Sequence, residues 1–273
     1  MRFDRAGRVR LLELFAALNL AFLSFDVYLA HSVNDFAHRA ECIPMPIFRP
    51  ALLLVPCIVC DIHRPLARWG GAAVGLVSIL VGVGGMLLHL EAAFFHEQTL
   101  KALVYTAPFS APLAYVGIGL LLWLNRLEAT DADWGRWVVL LAWGGFVGNF
   151  ALAVLDHAQN GFFFPSEWIS VAAAAAATGF LLVFVFLPDR SMLLACGVVL
   201  VLEAVVGVLG AWLHLSADLG GPADSFWDNL LYGAPVFAPL LFSNLALLAG
   251  LGLWDVAATQ TPPPATAETV RAA

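Results

Sequence analysis

The sequence has few charged residues and few cysteines. Of its 273 residues, 12% are Asp, Glu, Lys or Arg, whereas 61% are hydrophobic. A soluble domain carries roughly a quarter of its residues as charges, so this composition excludes an ordinary soluble fold. The chain also lacks a basic patch, and we expect no nucleic-acid partner. Of the four cysteines, Cys57 and Cys60 form a C-x-x-C pair inside an apolar run, which predicts packing rather than a redox or zinc site.

Long apolar runs fill most of the chain. A helix of about 20 residues crosses the ~30 Å hydrocarbon core of a bilayer, whereas the alternating polarity of a membrane β-barrel is missing. The runs predict an all-α integral membrane protein whose surroundings are the lipid bilayer. The eight predicted transmembrane helices cover residues 11–30, 47–61, 71–90, 103–124, 138–155, 169–187, 192–213 and 230–254.

The positions of the cations predict the topology. If the N-terminus is cytoplasmic, ten of the thirteen Arg and Lys residues lie inside, and only Arg39, Arg49 and Lys101 lie outside. This asymmetry follows the positive-inside rule for an even number of spans. We therefore expect a multi-pass protein of a cell membrane, of the bacterial inner-membrane type, with both termini cytoplasmic.

An internal repeat divides the chain into two halves. The segment VGVGGMLLHL at 81–90 returns as VGVLGAWLHL at 206–215, and YTAPFSAP at 105–112 returns as YGAPVFAP at 232–239. Such self-similarity indicates duplicated structural units, and four spans in each keep both in the same orientation. We predict two tandem pseudo-symmetric four-helix units, 1–125 and 138–255, joined by a cytoplasmic linker at 126–137 and followed by a disordered tail at 256–273.

Four histidines lie at the predicted outer ends of spans 1, 3, 5 and 7. They are His31, His89, His157 and His214. Neutral imidazole is a common metal ligand, and an ionisable residue within a membrane is a functional candidate. The pattern predicts a site for haem b or a transition metal ion, with a role in redox chemistry or electron transfer. The pairs expected to converge are His31 with His89 and His157 with His214, with the pair of His89 and His214 across the axis as the alternative.

Glycines precede two of these histidines by one and two helical turns. Gly85 and Gly82 share a face with His89, as Gly210 and Gly207 do with His214. A flat ring held by an axial histidine needs a neighbouring wall without side chains, so the glycines are candidate cofactor-binding residues. The alternative is close packing of two membrane helices.

Two acids add further candidates. Glu203 lies on the same face as His214 and three turns deeper, where it is predicted to act as a proton relay or as a polar clasp between helices. Asp156 adjoins His157, and is predicted to join a ligand set or to orient a histidine from the second shell.

Each half also carries a pair of prolines at the start of its last span. Because proline has no N–H, Pro112 removes the helical hydrogen bond to the carbonyl of Pro108. Pro239 does the same to Pro235. We predict a kink near the outer end of each helix, with a pocket wall as the alternative role.

The layout of eight spans in two four-helix units, with two histidines in each, resembles that of haem A synthase and more loosely that of other b-type cytochromes. The resemblance is one of architecture. The ligand histidines of that family belong to even-numbered spans, whereas those here end odd-numbered ones, so neither ligands nor an activity are carried over. Two alternatives stay open: a pseudo-symmetric transporter with Glu203 on its path, and a non-catalytic accessory or scaffold subunit of a membrane complex.

Overall fold

The computed structural model describes residues 5–55, 64–127 and 133–260. Within these ranges all regular structure is helical and no β-strand occurs. Short helical turns occupy Arg39–Cys42, Met45–Ile47, Phe48–Ala51, Leu52–Leu54 and Phe94–Glu97. The longer helices are α1 (Arg5–Ser32), α2 (Pro65–Glu91), α3 (Leu100–Tyr105), α4 (Leu113–Leu124), α5 (Trp134–Gln159), α6 (Glu167–Phe186), α7 (Arg190–Leu219), α8 (Phe226–Tyr232) and α9 (Leu240–Gln260).

Six helices in the described part of the chain are long and apolar enough to cross a membrane, namely α1, α2, α5, α6, α7 and α9. They make the chain a polytopic membrane protein by length and composition. The apolar helix α4 has 12 residues, which corresponds to about 18 Å and is too short to cross alone.

The remaining predicted spans are interrupted. The second, at 47–61, begins as a series of short turns, and Pro50, which has no N–H, lies within them. Residues 56–63, with Cys57 and Cys60, lie outside the described residues. The fourth span is not a kinked helix, because a turn at 106–112 separates α3 from α4. A turn at 233–239 separates α8 from α9 in the same way. Two prolines four residues apart therefore break each helix where a bend was predicted.

The core lies between the helices of each half and continues across the contact between the halves. Helix α5 packs against α6 and α9, and α7 packs against the same two helices. Helix α4 packs against α2, α1 and α5. Phe146 on α5 and Phe184 on α6 are fully buried in the largest cluster of apolar side chains. On the other side, Leu20 on α1 and Leu122 on α4 are fully buried together.

Polar contacts join α1 to the ends of both halves. The Arg126 guanidinium contacts the fully buried carboxylate of Glu13 at 2.7 Å, and Arg8 contacts Asp255 at 2.8 Å. Arg126 is thus part of the packed structure rather than of a free linker, and α5 begins at Trp134. Likewise, α9 continues to Gln260, so the first residues of the predicted tail are helical. Residues 128–132 and 261–273 lie outside the described ranges.

Candidate functional site

Two of the predicted histidines meet at one end of the N-terminal helices. His31 lies in the last turn of α1 and His89 in the last turn of α2. The centroids of the two rings are 6.1 Å apart and their planes make an angle of 70°. Both residues are half-buried. The structure therefore brings together the first predicted pair.

A glutamate holds the first ring. The Nδ1 atom of His31 lies 3.5 Å from a carboxylate oxygen of Glu41, and the amide of Asn34 donates to the other oxygen at 3.2 Å. The chain reaches this position through a tight turn in which Phe36 has a φ of 52°. The Phe36 N–H donates to the His31 carbonyl at 3.1 Å. The turn thus ends α1 and brings Glu41 beside His31.

The same contacts recur after α5. His157 Nδ1 lies 3.5 Å from a carboxylate oxygen of Glu167, and Asn160 donates to the other oxygen at 3.5 Å. Phe162 has a φ of 53°, and its N–H donates to the His157 carbonyl at 2.9 Å. His157 is also close enough to His214 for an electrostatic interaction. The second predicted pair therefore shares one end of the C-terminal helices.

A proline carbonyl holds the other ring of each pair. His89 Nδ1 lies 3.0 Å from the Pro108 oxygen, and His214 Nδ1 lies 2.9 Å from the Pro235 oxygen. These are the carbonyls that lose their helical partner because Pro112 and Pro239 have no N–H. A carbonyl only accepts, so each Nδ1 carries the proton and donates.

The hydrogen bonds decide which nitrogen is available to a ligand. In a neutral imidazole one nitrogen carries the proton and the other carries a lone pair. Because Nδ1 of His89 and His214 donates to a carbonyl, the lone pair is on Nε2. In the same way, Nδ1 of His31 carries a proton toward the Glu41 carboxylate, and Nδ1 of His157 carries one toward the Glu167 carboxylate. Metal-binding histidines commonly have such an acceptor behind the ring.

A bare metal ion fits these residues poorly. No group of three or more His, Cys, Asp or Glu side chains in the described ranges is arranged to hold one. A structural or catalytic zinc ion takes at least three protein ligands, whereas the axial sites of a haem take two. When two imidazoles bind one metal ion from opposite sides, each metal–nitrogen bond is about 2 Å long and each nitrogen lies a little over 1 Å from the centre of its ring. The two ring centroids are then about 6 Å apart. The ring centroids of His31 and His89 are 6.1 Å apart, so their separation alone does not exclude such a pair.

The predicted glycine wall is occupied by protein. A Cβ on Gly85 would lie 2.9 Å from the Cβ of Pro112, and one on Gly210 would lie 2.7 Å from the Cβ of Pro239. Gly82 and Gly207 lie against the main chain at the same two prolines. The close-packing alternative therefore describes these four glycines. They let α2 and α7 approach the proline turns, which brings His89 and His214 to the freed carbonyls.

The two predicted acids have different surroundings from those expected. Asp156 is exposed, and the carboxylate behind His157 belongs to Glu167. Glu203 is fully buried, and neither of its oxygens has a hydrogen-bond partner among the described residues. Glu41 and Glu167 could have been found from the sequence. Both complete the motif H-x2-N-x-F-x4-E, which begins at His31 and again at His157.

The fold and the site together define a multi-pass helical membrane protein with two similar histidine–glutamate clusters at helix ends. Comparison of the chain with protein-family models, curated proteins and solved structures finds no match.

Proposed function

We propose that the chain is an electron-transfer protein of two four-helix units in tandem, each of which binds one haem b between its two histidines. The units correspond to residues 1–125 and 138–255 and comprise eight membrane-crossing segments, of which the second, fourth and eighth are interrupted by turns. The support is the recurrence of both sequence and contacts. His31, Asn34, Phe36 and Glu41 repeat as His157, Asn160, Phe162 and Glu167, at a constant offset of 126 (157 − 31).

The observation that carries the proposal is the geometry of His31 and His89. Their ring centroids are 6.1 Å apart, and each Nδ1 faces an acceptor, the Glu41 carboxylate for one ring and the Pro108 carbonyl for the other. The two Nε2 atoms are thereby the ring nitrogens that would hold a haem iron. Both partners act from behind the ring, where they fix its orientation and increase its basicity.

A bound haem b supplies one-electron redox chemistry. The chain determines how readily the electron is accepted. Glu41 and Glu167 pull the Nδ1 protons of His31 and His157, which makes these imidazoles stronger donors and favours the ferric state. The carbonyls of Pro108 and Pro235 also make the rings of His89 and His214 stronger donors. Their effect is weaker, because a carbonyl carries no net charge.

We place the histidine clusters at the outer face of the membrane. The positive-inside rule gives this orientation, since ten of the thirteen cations then lie inside. Electrons would enter and leave near the outer membrane–water interface, where all four histidines are half-buried rather than enclosed.

The test is the cofactor content of the full-length protein purified from membranes. We expect a Soret band and a haem-to-chain ratio of two, with no other stoichiometric metal. A colourless preparation free of metal, after expression with added haem precursor, overturns the proposal. Coupled uptake of a solute in proteoliposomes would then favour the transporter, and stable co-purification with a larger complex would favour the accessory subunit.

A further inference from the structure

Two glutamates in the described part of the chain are completely buried, and their surroundings are opposite. Glu13 on α1 and Glu203 on α7 both have no exposed surface. Glu13 is surrounded by donors. Arg126 contacts both of its oxygens, at 2.7 and 3.3 Å, and the amide of Asn125 donates to one of them at 3.0 Å. Its negative charge is therefore neutralised by a cation.

Glu203 lies near the middle of α7, on the face that carries Leu200 and Gly207, which are also buried. Neither carboxyl oxygen has a partner in the part of the chain that the structure describes. A clasp between helices needs a hydrogen bond across the contact, and Glu203 makes none there. The clasp alternative thus loses its support.

No cation lies near the middle of the helices that surround Glu203. The neighbours of α7 are α6, α8 and α9, and α5 completes the bundle. The ionisable residues of these helices lie near the helix ends. On α7, Cys196 and Glu203 are the exceptions, because both lie inside the helix. The residues near helix ends are Glu167 on α6, Asp228 and Tyr232 on α8, Asp255 on α9, Arg136, Asp156 and His157 on α5, and Arg190, His214 and Asp218 on α7.

An isolated carboxylate in a low-dielectric interior is strongly destabilised, so such a group takes the neutral form or has a cation beside it. Here no cation is within the described surroundings. We propose that Glu203 is a proton-binding site within the membrane, occupied by a proton at neutral pH. Its ligand is the proton itself, because Glu203 belongs to no group of three or more His, Cys, Asp or Glu side chains in the described ranges that could hold a metal ion.

The face of α7 between Glu203 and His214 is closely packed, because Gly207 lies against Ser243 and Gly210 lies against Pro239. The N-terminal half carries a different residue at the position equivalent to Glu203. This residue is Ser78, which is also fully buried but has no ionisable group.

Infrared spectroscopy of the full-length protein in lipid tests the inference. We expect the C=O band of a protonated carboxylic acid at pH 7 and its loss in Glu203→Gln. Glu13→Gln is the matched control, because it removes an equally buried carboxyl that is ionised. It should reduce a carboxylate band and leave the acid band unchanged.

Labelling with a hydrophobic carbodiimide, which reacts with protonated carboxyls, gives a second readout by mass spectrometry of peptides. Glu203 should be labelled and Glu13 should not. An acid band that persists in Glu203→Gln overturns the proposal, as does an unlabelled Glu203. If Na⁺ at constant pH protects Glu203 from labelling, the site binds a metal cation instead of a proton. This result would also overturn the proposal. None of these measurements requires haem. The inference about Glu203 can therefore be disproved without affecting the proposed function, and the proposed function can be disproved without affecting the inference.

Discussion

The Nδ1 atom of His89 lies 3.0 Å from the carbonyl oxygen of Pro108, the group that Pro112 deprives of its helical donor. The Pro108 carbonyl keeps only the i+3 contact from Ala111, at 3.1 Å. The same relationship joins His214 to Pro235. Prolines and histidine thus act together, because the break in the helix supplies the acceptor that orients the ring.

Restoring the missing N–H should weaken this orientation. In Pro112→Ala, residue 112 can donate to the Pro108 carbonyl and compete with His89. We expect the affinity of the N-terminal unit for haem to fall by about 10–100-fold, the usual effect of losing a second-shell partner. Haem titration of the apoprotein measures it. Pro239→Ala is the matched variant and should weaken only the C-terminal unit, whereas wild-type affinity in both variants would contradict the role of the carbonyls.

The glutamates behind His31 and His157 should control the redox potential. Glu41→Gln and Glu167→Gln each remove a negative charge that favours the ferric state. We expect the midpoint potential of the affected haem to rise, by about 59 mV for each tenfold change in relative affinity for the two oxidation states. Potentiometric titration followed by absorbance gives the value.

Glu91→Gln provides the control for this effect, because Glu91 is an exposed acid at the end of α2. Equal shifts in Glu91→Gln and Glu41→Gln would assign the change to general surface charge and contradict the role of the histidine contact.

The helix–proline contacts should be sensitive to a single methyl group. In Gly85→Ala the new Cβ would lie 2.9 Å from the Cβ of Pro112. We expect a decrease in the free energy of unfolding of about 1–3 kcal/mol, the usual cost of overpacking. Denaturant unfolding in detergent measures it. Gly84→Ala, in the same turn but with open space at its Cβ, should leave the protein as stable or more stable; equal destabilisation of both variants would contradict the packing role.

The ion pair at the opposite end of the molecule should be costly to break. Arg126→Met leaves the fully buried Glu13 carboxylate without its cation. We expect a loss of about 3–5 kcal/mol in the free energy of unfolding. Adding Glu13→Gln should recover much of this loss, because the second change removes the unpaired charge. A double variant no more stable than Arg126→Met would show that Arg126 acts by packing instead.

The sequence was sufficient for the long helices and for the histidines at their ends, because apolar length and repeat spacing determine both. It also identified the carbonyls that Pro112 and Pro239 free. It did not identify their donors, since the contact of His89 with Pro108 depends on how closely α2 approaches the turn. The glutamates were missed for a related reason. Asp156 adjoins His157 in sequence, yet Glu167 reaches the ring because a left-handed turn at Phe162 returns the chain.

The short helices were also beyond sequence reasoning. Hydropathy treats 103–124 as one apolar run, and a single proline in such a run is compatible with a kinked membrane helix. The structure has a complete break before Leu113, because Pro108 and Pro112 remove successive helical hydrogen bonds and the freed groups find other partners, including the His89 ring.

The coordination state of the proposed haem iron tests the central claim most directly. Electron paramagnetic resonance of the ferric full-length protein should show low-spin iron with two imidazole ligands, at two sites per chain. In His89→Gly one of the two sites should become high-spin, and added imidazole should restore it, while the site at His157 and His214 stays unchanged. Haem that remains low-spin in both His89→Gly and His214→Gly, or a wild-type protein that binds no haem, would contradict the account.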